Sequence, residues 1–190
     1  MKKILDPQLT ELGIKQAEYL RKNFEPMGRI GYILCSSMKR TIETALTVCA
    51  PIIRSKKRPD GLQIIAWPQL REIGMGFANT GTPGIFTSGQ FRYENAIDHY
   101  LAIPGWELND EKQNAKWRAE EVRKDLWQLG QLAMLMPGKG PIATWKHVRL
   151  QPRRSEEDNV EILVVSHANF LKELEENGGT LPRLSLRLYT

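Results

Sequence analysis

The sequence predicts an α/β protein built on a mainly parallel sheet, and three observations carry that prediction. Val160-Glu161-Ile162-Leu163-Val164-Val165 is a nearly continuous, largely β-branched apolar run, the pattern of a strand covered on both faces. It leads straight into Ser166-His167-Ala168-Asn169 and then a Leu/Lys/Glu-rich segment of helical spacing. A polar residue at such a strand exit stands where α/β folds place their chemistry. Strand candidates also alternate with helix candidates along the chain. His167 is therefore the first residue to explain.

At 190 residues the chain suits one domain with a sizeable core. Its hydrophobic fraction of 41% and charged fraction of 26% are ordinary for a globular protein. No apolar stretch reaches membrane-span length, and the N-terminus has no signal-peptide pattern. Cys35 and Cys49 both lie in apolar surroundings, which predicts buried, reduced thiols in a cytoplasmic protein. Two cysteines and three scattered histidines, His99, His147 and His167, have no zinc-ligand spacing, so neither a metal nor a cofactor is expected. The net charge of +5 concentrates at residues 54–59 and 149–154. No aromatic residues interleave with these clusters, so they are read as solvated loops; nucleic acid is not an expected partner.

The elements follow in order. Asp6-Pro7-Gln8-Leu9-Thr10 is turn chemistry, with Thr10 as N-cap of a helix over about 10–24. Leu12, Gly13, Ala17, Leu20 and Phe24 share its inner face. Gly13 costs a helix about 1 kcal/mol relative to Ala, so close packing against another element is expected there. Residues 30–35 form a short strand. Ser36-Ser37 precedes a helix over about 38–50, with Ile42, Ala45, Leu46 and Cys49 inward. A strand is predicted over 62–67, then a long Gly-rich connection to Pro83. Helices are predicted over 88–101 and 109–136, the second with Ala115, Ala119, Val122, Leu126, Leu129 and Ala133 at steps of three and four. A helix or helix-and-loop mixture is expected over 142–147. The strand before His167 and its helix follow, ended by Gly178-Gly179. The Leu/Arg/Ser tail alternates like a half-buried edge strand. Trp106, Trp117, Trp127 and Trp145 are read as packing over the sheet, and His99 and His147 as surface or packing residues.

Two strand-to-helix junctions, Cys35-Ser36-Ser37-Met38-Lys39-Arg40-Thr41 and Ser166-His167-Ala168-Asn169, each offer free backbone N–H groups to an anion. Arg40 adds a guanidinium able to hold a phosphate in bidentate fashion. His167 can donate to the same group or exchange a proton with it. Glu72, in Leu70-Arg71-Glu72-Ile73, is a candidate general acid, with Glu43 as a competitor. Together these make a phosphoryl-handling pocket.

These residues resemble a known family. Asp6-Pro7-Gln8-Leu9-Thr10-Glu11-Leu12-Gly13-Ile14-Lys15-Gln16-Ala17 is similar to a segment of the histidine phosphatase (phosphoglycerate mutase-like) superfamily. So are Ser36-Ser37-Met38-Lys39-Arg40-Thr41-Ile42-Glu43-Thr44-Ala45, the Leu70–Ile73 segment followed by Asn79-Thr80-Gly81-Thr82-Pro83, and Val164-Val165-Ser166-His167-Ala168. The acid-bearing segment looks like that of fungal-type members. The resemblance implies a three-layer α/β/α fold in one domain over 1–190, with a helical insertion around 84–147. It implies phosphomonoester hydrolysis through a phosphohistidine, acting on a small phosphorylated metabolite.

The resemblance makes Arg40 a phosphate-clamping arginine, Glu72 the proton donor, and His167 the second, phosphate-orienting histidine, with Ser36 and Ala168 beside the phosphate. It also implies a first strand ending in Arg-His-Gly, whose histidine is the nucleophile. No Arg-His pair occurs in this sequence. The expectation is thus a domain lacking its first strand, beside that of His167, and inactive in turnover. The alternative is a pseudoenzyme that binds a phosphorylated ligand or a protein partner. Oligomeric state and substrate are left open.

Overall fold

The computed structural model describes residues 4–54, 61–74, 76–82, 96–102, 105–106, 112–135, 144–150 and 161–176. Residues 55–59 of the first basic cluster, residues 151–154 of the second and the tail after 176 lie outside the described residues, as do residues 83–95.

Thr10 caps helix α1 (Glu11–Asn23) as predicted, its hydroxyl accepting from the Gly13 amide. Ala17, Leu20 and Phe24 are buried, but Leu12 is 65% exposed. Gly13 does not serve packing against another element. A Cβ there would meet the side chains of Leu9 and Thr10, its own helix entry. Strand β1 (Ile30–Cys35) leads into α2 (Lys39–Val48), whose buried face includes Ile42, Ala45 and Leu46. Strand β2 (Ile64–Ala66) is the short core of the run predicted over 62–67.

Two predicted helical segments take other forms. Within 88–101, Ile97–Asp98 is strand β3, pairing parallel to β2 through Ile64–Ile97 and Ile65–Asp98. Ala96 and Ile97 are buried beside the sheet edge, a two-residue apolar signal too short to separate strand from helix. Within 142–147, Thr144–Trp145 (β4) and Val148–Arg149 (β5) make an antiparallel hairpin turned by Lys146 and His147. Its two-residue turn lacks the Asn-Gly signature, and Trp145 and Val148, paired across it, leave too short an apolar pattern to signal a hairpin. Helix α3 (Lys112–Leu135) matches the long predicted helix, and β6 (Glu161–Val165) and α4 (Ala168–Glu176) follow.

The four-stranded sheet runs β3-β2-β1-β6, every pairing parallel. Alternate strand residues divide two cores. Ile33, Cys35, Leu163 and Val165 pack with Ala17 and Leu20 of α1, Ile42 and Ala45 of α2, and Met38 at the α2 N-cap. Leu34, Ile162 and Val164 pack with Val122, Leu126, Phe170, Leu171 and Leu174 from α3 and α4. The result is three layers, α1 and α2 on one face of the sheet and α3 and α4 on the other. Burial on both faces is why β1 and β6 read as unbroken apolar runs rather than alternating ones. Cys35 and Cys49 are free and buried. Burial pushes both thiols up, that of Cys49 to about 12.

Trp145 is buried and stacks edge-on against Trp67 at 5.1 Å. Trp106 is buried as well. Trp117 and Trp127, expected to pack inward, are 63% and 55% exposed, because α3 turns its Ala119/Val122/Leu126 stripe to the sheet and these indoles away. No helix among the described residues is long and apolar enough to cross a membrane.

Candidate functional site

The C-terminal ends of β1, β2 and β6 are latched to one another. The Ser36 amide donates to Val165 O, Trp67 N to Cys35 O, and Ser166 Oγ to Leu70 O at 2.6 Å. These bonds bring three predicted site segments, 36–40, 70–72 and 166–168, to one end of the sheet.

His167 sits where β6 gives way to α4; its carbonyl accepts the first helical bond, from Leu171 N. The imidazole is 3% exposed, and its Nε2 shares a 2.9 Å hydrogen bond with Ser36 Oγ. Burial first, then the positive charges of Arg40 and Arg118, hold its pKa well below the usual 6.5. The ring is neutral at physiological pH. Ser36 Oγ also accepts from Met38 N at 3.4 Å, at the entry to α2.

Arg40 lies on the first turn of α2. Its Nη1 donates to Ala78 O at 2.7 Å and its Nη2 to Asn79 Oδ1 at 3.2 Å, two of the five N–H donors a guanidinium carries. Burial lowers its pKa, and Asp6 and Glu72 oppose that shift. Asp6 is the buried counter-charge. Its backbone has φ 44°, a left-handed conformation that Asp tolerates better than most residues. Its Oδ1 accepts from Lys39 N, the first helical amide of α2, and its Oδ2 from Thr82 N. Burial raises the Asp6 pKa against these bonds.

Glu72 does not present a free carboxyl. Its Oε1 accepts from Ile73 N at 2.8 Å and from Phe170 N at 3.2 Å, and its Oε2 lies 3.4 Å from Asn169 Nδ2. In this geometry it is a cap on α4 supplied from another part of the chain. Glu43, the competing acid, is engaged elsewhere: its Oε2 accepts from Leu9 N at 2.7 Å, anchoring the approach to α1. Ala168 opens α4 and is half-buried.

Arg118 on α3 is the residue that sequence reasoning missed. It is 3% exposed, and its Nη1 donates to both Gln69 O and Arg71 O, at 2.7 and 2.8 Å. Its guanidinium lies 4.3 Å from the centre of the Phe170 ring. It therefore ties the segment carrying Glu72 to the helix that Glu72 caps. The available signal was its position, one residue from Ala119 on the inner stripe of α3, where a cation is out of place. Asp6 was visible within a motif but had no assigned role.

His99 and His147 are exposed, and His147 stacks on Tyr100 at 5.7 Å. Among the described residues no group of three His, Cys, Asp or Glu side chains is placed to hold a metal ion. A family model, the histidine phosphatase superfamily (branch 1), matches residues 1–125. That span includes Asp6, Arg40, Glu72 and Arg118, while His167 lies beyond it. No curated protein matches the chain.

Proposed function

Because the chain belongs to the histidine phosphatase superfamily (branch 1), we propose that the His167 site receives the phosphoryl group of a small phosphorylated metabolite. One observation carries this reading: a buried, neutral imidazole stands in the field of two partly or fully buried guanidiniums, Arg40 and Arg118. A phosphate dianion entering there offsets the two positive charges that, together with the larger effect of burial, keep the proton off His167. Binding is therefore coupled to proton uptake by the ring. The Arg40 fork supplies charge-assisted hydrogen bonds, and Ser36 Oγ and the Ala168 amide at the α4 N-terminus supply neutral donors.

Turnover through a phosphohistidine requires an imidazole free to attack phosphorus. Among the described residues the ring partner of His167 is Ser36, not a second imidazole, and His99 and His147 are exposed. We therefore read this 190-residue polypeptide as binding phosphate without appreciable hydrolysis. The buried thiols support a cytoplasmic setting.

A second reading, hydrolysis, is favoured by one feature of the sheet. Strand β6 has a single pairing partner, β1, among the described strands, while its side chains are buried on both faces. An added strand carrying a histidine would then complete the pocket.

Titration calorimetry with inorganic phosphate at pH 7 tests the first reading. The expected result is binding that is lost in Arg40→Ala and His167→Gln. Affinity unchanged in both variants would overturn it. A p-nitrophenyl phosphate assay separates the two readings. Robust hydrolysis that disappears in His167→Ala would sink binding without turnover.

A further inference from the structure

Beside the 68–71 segment lies a cleft of about 610 Å³, and none of Arg40, Glu72 or His167 lines it. The volume falls within the roughly 300–1,000 Å³ of small-molecule sites. One wall belongs to α3. Trp117, Glu121 and Asp125 line the cleft and follow one another at steps of four, so they share one stripe of the helix. That stripe is about 12 Å long at the α-helical rise. Arg71 and the Lys146-His147 turn line the cleft as well.

The charges cancel. Lys146 Nζ is 2.9 Å from Asp125 Oδ2, and Lys124 Nζ is 2.7 Å from Glu121 Oε1, so both lining carboxylates already carry a counter-charge. Neither carboxylate is left as an uncompensated anion that would call for a cation, so a neutral ligand fits this lining. What the walls do offer is hydrogen bonding: carboxylates that accept from hydroxyls, and Arg71, Lys146 and Gln69 that donate to them.

The aromatic lining narrows the class further. Trp67 and Trp106 are 3% and 8% exposed, whereas Trp117 is 63% exposed. One indole therefore presents an open face, and the electron-rich face of an indole attracts the polarised C–H groups on the apolar side of a sugar ring. A purine held between two ring faces would need a second open aromatic, and His147 is already against Tyr100.

The turn supplies an independent mark of use. Lys146 and His147 have φ of 45° and 70°, the two-residue geometry that favours Asn-Gly and penalises residues with long or branched side chains. The side chains carried at these strained positions close the Asp125 ion pair and line the cleft.

We infer that this cleft binds a neutral, hydroxyl-rich ring compound, a disaccharide-sized glycoside lying along Trp117, Glu121 and Asp125. This site is separate from the phosphate site and does not depend on it. The full chain is titrated with maltose, cellobiose, lactose and N,N′-diacetylchitobiose, followed by calorimetry and tryptophan fluorescence. At least one sugar is expected to bind saturably. Trp117→Ala weakens that binding by about tenfold, the loss of one aromatic stacking contact. Glu121→Gln weakens it less. Trp127→Ala, which removes an exposed indole outside the cleft, leaves it unchanged, and so does Arg40→Ala. Saturable binding by none of the four sugars overturns the inference. So does sugar binding that survives Trp117→Ala, or Trp117-dependent binding of adenosine in place of the sugars. Because Arg40→Ala affects phosphate alone and Trp117→Ala affects sugar alone, failure of either reading is recognised separately.

Discussion

Replacing Arg118 by Met tests whether a buried cation on α3 organises the candidate site. The guanidinium satisfies two carbonyls, Gln69 O and Arg71 O, with bonds of 2.7 and 2.8 Å. Each carbonyl left without a partner costs about 1–3 kcal/mol. Loss of the stack on Phe170, 4.3 Å away, adds roughly 0.5–2 kcal/mol. Against these, methionine avoids the cost of burying a charge and fills most of the same volume. The expected net loss is about 3 kcal/mol, measured by urea unfolding with an unchanged m-value. Arg118 is also one of the two charges that depress the His167 pKa. In Arg118→Met the His167 titration, followed by NMR, therefore moves upward. Arg118→Lys separates charge from geometry. A single ammonium retains the effect on His167 but does not reproduce the guanidinium stack and fork, so stability falls while the titration stays near wild type. A loss below about 1 kcal/mol in Arg118→Met, with His167 titrating unchanged, would refute the reasoning.

The pH dependence of stability follows from His167. Its folded pKa is depressed below 6.5, so the unfolded chain takes up the proton first. The stabilisation is complete above 6.5 and is lost as pH falls toward the folded pKa, with a slope approaching about 1.4 kcal/mol per pH unit. His167→Gln removes that slope, whereas Asp6, with a raised pKa, contributes in the opposite sense and is untouched by the variant. Glu72→Gln is expected to cost about 1 kcal/mol through the weakened cap on Phe170 N, read by thermal unfolding; an unchanged midpoint would remove the capping role. Gly61→Ala places a Cβ 2.5 Å from the Ile53 carbonyl carbon and oxygen, backbone atoms that cannot swing aside, and about 2 kcal/mol or more is lost in the same measurement. Cys35 and Cys49, buried and with raised pKa values, react with a thiol reagent only as fast as the chain opens. Rapid labelling under native conditions would contradict their burial.

Strands β1 and β6 were legible because burial on both faces writes itself as an uninterrupted apolar run, and α1 because its Thr10 cap is a local bond. Strand β3 and the β4–β5 hairpin were not, since two-residue strands carry too little periodicity to compete with a helical reading. The site divides along the same line. That Ser36, Arg40, Glu72 and His167 stand at element ends could be read from local pattern. Which of them touch could not, because each contact spans the fold: Ser36 and His167 are 131 residues apart, and Glu72 and Phe170 are 98. Only the strand order β2-β1-β6 brings them together. Arg118 was hidden for a different reason, namely that helical periodicity scores apolar positions and passes over a cation placed among them.

That same adjacency changes what the α4 N-terminus can do. Four amides at a helix start lack intrahelical partners, and Glu72 already takes the one from Phe170. On the proposed reading, a phosphate approaching His167 would meet a carboxylate at the position where the helix would otherwise attract it. The ligand must therefore bond the Ala168 and Asn169 amides beside Glu72, or displace the carboxylate and leave Arg40 to offset the added charge. In the first case Glu72→Gln strengthens phosphate binding by removing a like charge; in the second it changes affinity little. A marked loss of affinity in that variant would mean that the carboxylate positions the α4 amides for the ligand through its bonds to Ile73 N and Phe170 N, rather than competing with the ligand for them.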